Sequence, residues 1–139
     1  MRFTVESDRA TRVVLYLAVN YPKCISAKEI AENEKIPARF TLKILRKLKL
    51  AEIVDSLRGN AGGYLLSKKP EEISLYDVIT AIEGPLCIQK CLENPDNCNL
   101  KRADVCPVHN HLCDMQHYIK EKLVSVNFLS LAEDVASKS

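Results

Sequence analysis

Hydrophobic positions in the first fifty residues recur at steps of three and four, the period of helices that bury one face. Ala10, Val13, Val14, Leu17 and Ala18 share a side with Arg9 and Arg12 opposite, which predicts a first helix over residues 7–19. Tyr21 and Pro22 break it. Ser26 and Glu29 have the spacing of a capping box, in which hydroxyl and carboxylate each satisfy a free backbone N–H, so a short second helix is expected over 27–33. Pro37 has no N–H to lose and suits the first position of a third helix. Along that helix Phe40, Ile44 and Leu48 form an apolar stripe with Thr41 and Leu45 beside them, while Arg39, Lys43, Arg46, Lys47 and Lys49 face outward.

The period then changes from helix to strand. Residues 51–55 alternate into Leu57, residues 58–63 read RGNAGG, and Tyr64, Leu65 and Leu66 return, which is the pattern of a β-hairpin. Ser74 and Asp77 cap a further helix through Ile82, and Glu83-Gly84-Pro85 ends it. Residues 94–97, NPDN, have no apolar period and read as loop. From Pro107 the helical period resumes through Leu112, Met115, Ile119, Leu123 and Val126 to Leu129 or Leu131. That predicts one helix of about five turns or more. A helix of that length on so small a chain needs a partner surface, either a second copy or its own domain. The expected fold class is mainly α with a small β-hairpin wing: a winged helix-turn-helix domain followed by a long C-terminal dimerisation helix.

Charge sharpens this picture. The net charge of +2 says little, but residues 1–69 carry 14 Lys and Arg against 7 Asp and Glu, and residues 70–139 carry 6 against 11. The basic half is the half that meets a polyanion. A basic helix followed directly by a hairpin is the arrangement of a winged helix, which docks the helix in the major groove of double-stranded DNA and the hairpin near the phosphates. Arg39, Thr41 and Lys43 are placed to reach base edges; Lys47, Lys49 and Arg58 are placed to hold phosphates. The basic helix alone is equally well explained as the solvated face of a small bundle, and the glycines as a tight hairpin without a ligand. No nucleophile-base pair stands at a recognisable spacing and no glycine loop is left to bind phosphate, so an enzyme is disfavoured.

The chain starts without the basic, apolar and small-residue zones of a signal peptide and has no apolar run long enough to cross a bilayer, so a cytoplasmic protein without a membrane partner is expected. Five of the six cysteines and two of the three histidines lie within residues 87–113. In a reducing compartment such a cluster points to iron-sulfur or zinc rather than to disulfides. Cys113 falls on the helix face of His109 and Cys106, as a ligand or a small buried apolar filler. Cys87 is either a ligand or a spare thiol. Cys24, between helices, reads as structural, and His111 and His117 as solvated or at the dimer seam.

The opening MRFTVESDRATRVVLYLA, the helix PARFTLKILRKLKLAEIV, the wing SLRGNAGGYLLSKKPEEISLYDVITAIEGP and the motif CPVHNHL together resemble the IscR/NsrR family of bacterial transcription regulators. The resemblance covers nearly the whole chain. It implies a homodimer of winged-helix subunits with crossed C-terminal helices and, in many members, a two-iron or four-iron cluster held by three loop cysteines. By position these are Cys91, Cys98 and Cys106, at a spacing longer than that of well-known members. The fourth ligand implied is Asp8, as in nitric-oxide-sensing members, or His109, as in members that monitor cluster supply. Cys91, Cys98, Cys106 and His109 would equally make a tetrahedral, structural zinc site.

The expected division is a DNA-binding domain over 1–84, a cluster-binding loop over 85–107, and a dimerisation helix and tail over 108–139, hinged at Gly84 and Pro85. The expected function is a transcriptional regulator, acting as a repressor, that senses redox state, nitric oxide or iron-sulfur supply. The alternative is a regulator that is cluster-free or holds zinc and is controlled by a partner protein.

Overall fold

A computed structural model describes residues 2–138, so the first residue of the expected reading domain and the last of the expected tail lie outside the described residues. Helix α1 spans Val5–Val19 and begins two residues earlier than its apolar period, because the Thr4 side chain accepts from the Ser7 N–H. Helix α2 spans Ala27–Glu34 and α3 spans Ala38–Leu50, with Pro37 at the N-cap rather than inside the first turn. The box expected at α2 is half formed. The Ser26 hydroxyl accepts from the Glu29 N–H at 3.1 Å, but the Glu29 carboxylate accepts instead from the Tyr16 hydroxyl at 3.0 Å.

Residues 51–53, expected to open a strand, form a turn with Glu52 at positive φ, and strand β1 runs Val54–Leu57 against β2, Gly63–Leu66. They pair antiparallel from Val54↔Leu66 to Leu57↔Gly63. Tyr64 also bridges Ile25, which fastens the wing to the loop before α2. Gly63 is required there: a Cβ would lie 2.4 Å from the Ile25 carbonyl oxygen. Helix α4, Leu75–Glu83, carries a complete capping box between Ser74 and Asp77 and ends at Gly84, φ 80°.

The core is made by α1, α2, α3, β1, β2 and α4, with Val13, Leu17, Ile30, Ile44, Leu45, Leu48, Val54 and Val78 buried together. The chain beyond α4 is different. A short helix α5, Lys90–Glu93, and a 3-10 turn, Pro95–Asn97, interrupt the expected loop before α6, Pro107–Ser125. The single helix expected to reach Leu129 or Leu131 stops at Ser125, and α7 spans Phe128–Lys138. The physical reason is Phe128, which is fully buried in the head core. To seat it the chain pairs Asn127 with Ser74, and backbone bonds join Leu75 to Val126 and Phe128 to Ile73. Helix α7 therefore packs on α1, while α6 leans on α4 along one side and leaves the rest of its surface exposed.

Candidate nucleic-acid interface and metal centre

The exposed face of α3 is basic because its apolar stripe, Ile44, Leu45 and Leu48, turns inward. Thr41 goes inward with it, fully buried and bonded to the Pro37 carbonyl at 3.3 Å, so it cannot be a base reader. Arg39 is exposed, its guanidinium 4.8 Å from the centre of the Phe40 ring, and Arg9 of α1 stacks on the same ring at 5.1 Å. Lys49 donates to the Ser56 hydroxyl of β1 at 2.6 Å, and Arg58 is exposed in the wing turn.

Lys43 and Lys47 face outward as the pattern predicts, yet both meet Glu6 of α1. The Lys43 ammonium lies 3.4 Å from one carboxylate oxygen, and Lys47 hydrogen-bonds the other. The Lys47 bond, then the bond and charge of Lys43, outweigh partial burial and hold the Glu6 carboxyl below its ordinary value. Sequence reasoning missed Glu6 because its partners lie about forty residues away. It also passed over Leu42, exposed on the same face, and gave the outward-facing Arg46 no role in DNA contact, although helical spacing from Arg39 points to both.

The first turn of α1 collects further contacts. The Ser7 hydroxyl donates to Glu83, and the Thr4 N–H donates to the same carboxylate oxygen at 3.3 Å, so the end of α4 is tied to the start of α1. Asp8 pairs with Arg12 at 3.6 Å, and Arg12 reaches both the carboxylate and the backbone carbonyl of Glu34 at the end of α2.

The cysteine segment closes on a cavity of about 390 Å³ lined by Cys91, Cys98, Cys106 and His109, with Ala103, Val108 and Leu112 as its apolar wall. The His109 Nδ1 and the Cys91 sulfur are 3.2 Å apart. Backbone N–H groups of Arg102 and Leu100, with the Arg102 charge, hold the Cys98 thiol below its usual value. The loop is fastened to α6 by a bond from the Ile88 N–H to the Gln116 side chain at 2.9 Å. All six cysteines are free thiols. Cys87 and Cys113 are exposed and line no part of the cavity, so Cys113 is not a buried filler, and Cys24 is half-buried in the head. His111 is exposed, and His117 pairs with Glu121 at 3.0 Å.

Asp8 is not among these donors. It lines a separate shallow pocket with Phe3, Thr11, Leu75 and Leu123. Among the described residues no three His, Cys, Asp or Glu side chains are already gathered closely enough to hold a single metal ion. The donor chemistry nevertheless fits an iron-sulfur group: three thiols and one imidazole face one space, and one of those thiols loses its proton more readily than an ordinary cysteine. No helix of the described residues is long and apolar enough to cross a membrane.

Residues 3–134 match the Rrf2 family, described as an iron-dependent transcriptional regulator. The HTH-type transcriptional regulator NsrR of Bacillus subtilis is 29% identical over 126 residues, 90% of this chain and 81% of its own. Among solved structures, IscR of T. potens superposes with a TM-score of 0.78 at 21% identity, over 97% of this chain and 88% of that one, a likeness of fold. CymR, the global cysteine regulator of B. subtilis, superposes with a TM-score of 0.75 at 25% identity, over 100% of this chain and 98% of its own.

Proposed function

Since the chain belongs to the Rrf2 family of DNA-binding transcriptional regulators, we propose that it is a repressor whose hold on its operator is set by an iron-sulfur cluster in the cysteine cavity. Its relatives are regulators rather than enzymes. The observation that carries the proposal is the convergence of Cys91, Cys98, Cys106 and His109 on one cavity. The three thiols hold the group, and His109 is the fourth donor at hand within the chain. Asp8 takes that place only if it comes from the partner subunit, since it lies outside the cavity of its own chain. When bound, such a group supplies redox chemistry and an iron open to attack by oxygen or nitric oxide. Donors spread around a cavity rather than gathered on a point suit a group of several irons better than a zinc ion.

The protein works as a homodimer in the cytoplasm. Helix α6, 19 residues long, fully buries none of its side chains: Leu112, Ile119 and Leu123 are half-buried against its own chain, while Val108, Met115 and Tyr118 are exposed on the adjoining side. A second α6 covers that surface and sets two reading heads at a fixed separation, which a two-fold operator requires. In each head α3 enters the major groove with Arg39 and Arg46 toward it, and Lys49 and Arg58 lie toward the phosphates. The cysteine loop acts on the heads through the α4 end: Glu83, next to the Gly84 hinge, holds Ser7, and the neighbouring Glu6 holds α3. Ordering the loop shifts this turn and with it the tilt of α3.

Anaerobic purification, with an absorption spectrum and iron, sulfide and zinc measured on one sample, tests this. Brown protein with matched iron and sulfide, and an operator affinity that changes when the cluster is removed, is the expected result. Stoichiometric zinc would make the cavity structural. Protein that takes up no metal even on reconstitution would favour the second reading, a cluster-free regulator controlled by a partner protein, to which the likeness to CymR lends weight.

A further inference from the structure

The recognition helix carries more positive charge in its sequence than it offers to DNA. Lys43 and Lys47 stand one turn apart, and the Glu6 carboxylate spans both, one oxygen to each ammonium. The Glu6 side chain is 25% exposed, so it is partly shielded from water. Its place is fixed by the first turn of α1, where Thr4 caps the helix and Ser7 is bonded to Glu83. The Arg46 side chain, between the two lysines, makes no hydrogen bond or ion pair among the described residues.

We propose that Glu6 is a built-in competitor for phosphate: it withholds Lys43 and Lys47 from the duplex, so that α3 meets DNA through Arg39, Leu42, Arg46 and Lys49. Each phosphate that a protein neutralises releases counterions and steepens the salt dependence of binding, by a slope of about 0.9 in log K against log salt. A lysine already paired with a fixed carboxylate releases none. Glu6 is thus a positioning residue that sets how strongly, and how salt-sensitively, the head binds, and it does so from the helix that also touches the hinge of the cysteine loop. This rests on the DNA-binding reading of α3 given above.

The test is fluorescence anisotropy of the full-length protein with a labelled duplex of unrelated sequence, over a series of KCl concentrations. Glu6→Gln is expected to bind more tightly and to steepen the salt slope by about 1.8 per head, about 0.9 for each lysine released. Adding Lys47→Gln to that variant should remove about half of the increase, whereas Lys47→Gln alone should leave the wild-type slope unchanged. Equal slopes for wild type and Glu6→Gln overturn the proposal, because the lysines then reach phosphate, or fail to, whatever Glu6 does. So does a drop of about 0.9 for Lys47→Gln alone, a measurement that does not depend on the Glu6 variant folding. Absence of salt-dependent binding by every variant, wild type included, overturns the DNA-binding reading of α3 itself.

Discussion

The head of this molecule and its cysteine-bearing arm reach order by different routes. The buried cluster draws on α1 to α4, the wing and Phe128. Between residues 85 and 127, Ala103 is the one buried residue among those described. The head can therefore be stable on the burial of its own apolar surface, the dominant favourable contribution to folding. The arm has little to bury, and in the function proposed above it gains its order from a group in the cysteine cavity and a second copy along α6. A regulator gains from this arrangement, because the part that must respond is the part whose order is conditional.

The change that breaks the comparison most completely removes a cavity thiol. Cys106→Ala is expected to abolish iron and sulfide binding after anaerobic reconstitution while leaving the thermal unfolding of the head where it was. Retained cluster in that variant would refute the ligand set. Loss of head stability would show instead that the arm is not conditional at all.

Phe128→Ala addresses the other side. This ring belongs by sequence to the arm and by packing to the head, where it is fully buried. Its truncation should cost about 3–5 kcal/mol in urea unfolding, the range for a large aromatic removed from a core. Met115→Asp, on the exposed side of α6 at 55% exposure, should raise the dimer dissociation constant by about thirtyfold or more, as for an interface anchor lost. It should leave the unfolding of the separated head unchanged. Ultracentrifugation decides, and an unaltered dimer would mean that α6 pairs through another face.

The same contrast explains what was legible in the sequence. In the head, burial is periodic and local, so α1, α2, α3, the wing and α4 could be placed within a few residues from apolar spacing and caps. The errors there came from competition that spacing does not encode. Glu29 had Tyr16 as a better partner than its own box, and Thr41 sat at the border of the stripe and fell inward. In the arm the apolar period continues from α6 into α7, so it could not show that the two helices serve different surfaces. That depends on Phe128 meeting Ile73, a contact between distant parts of the chain. The cysteines were legible as a group by composition, while the separation of Cys91, Cys98 and Cys106 from Cys87 and Cys113 needed the fold of the loop. Glu6 was invisible for the same reason: a carboxylate in a first turn looks like a helix-dipole residue until its lysines are seen beside it.

Asn127 stands where the two regions meet, and the smallest of the expected effects decides which of them owns α7. Its side chain accepts from the Ser130 N–H at 3.0 Å, the cap that starts α7, while its backbone bridges Ser74 at the start of α4. Asn127→Ala removes the cap and keeps the bridge, so it should lower the stability of the head by about 1 kcal/mol, the usual cost of an N-cap. The dimer dissociation constant should not move. If it rises while urea unfolding is unchanged, α7 serves the interface rather than the core, and the boundary between self-sufficient head and conditional arm lies before Phe128 instead of on either side of α6.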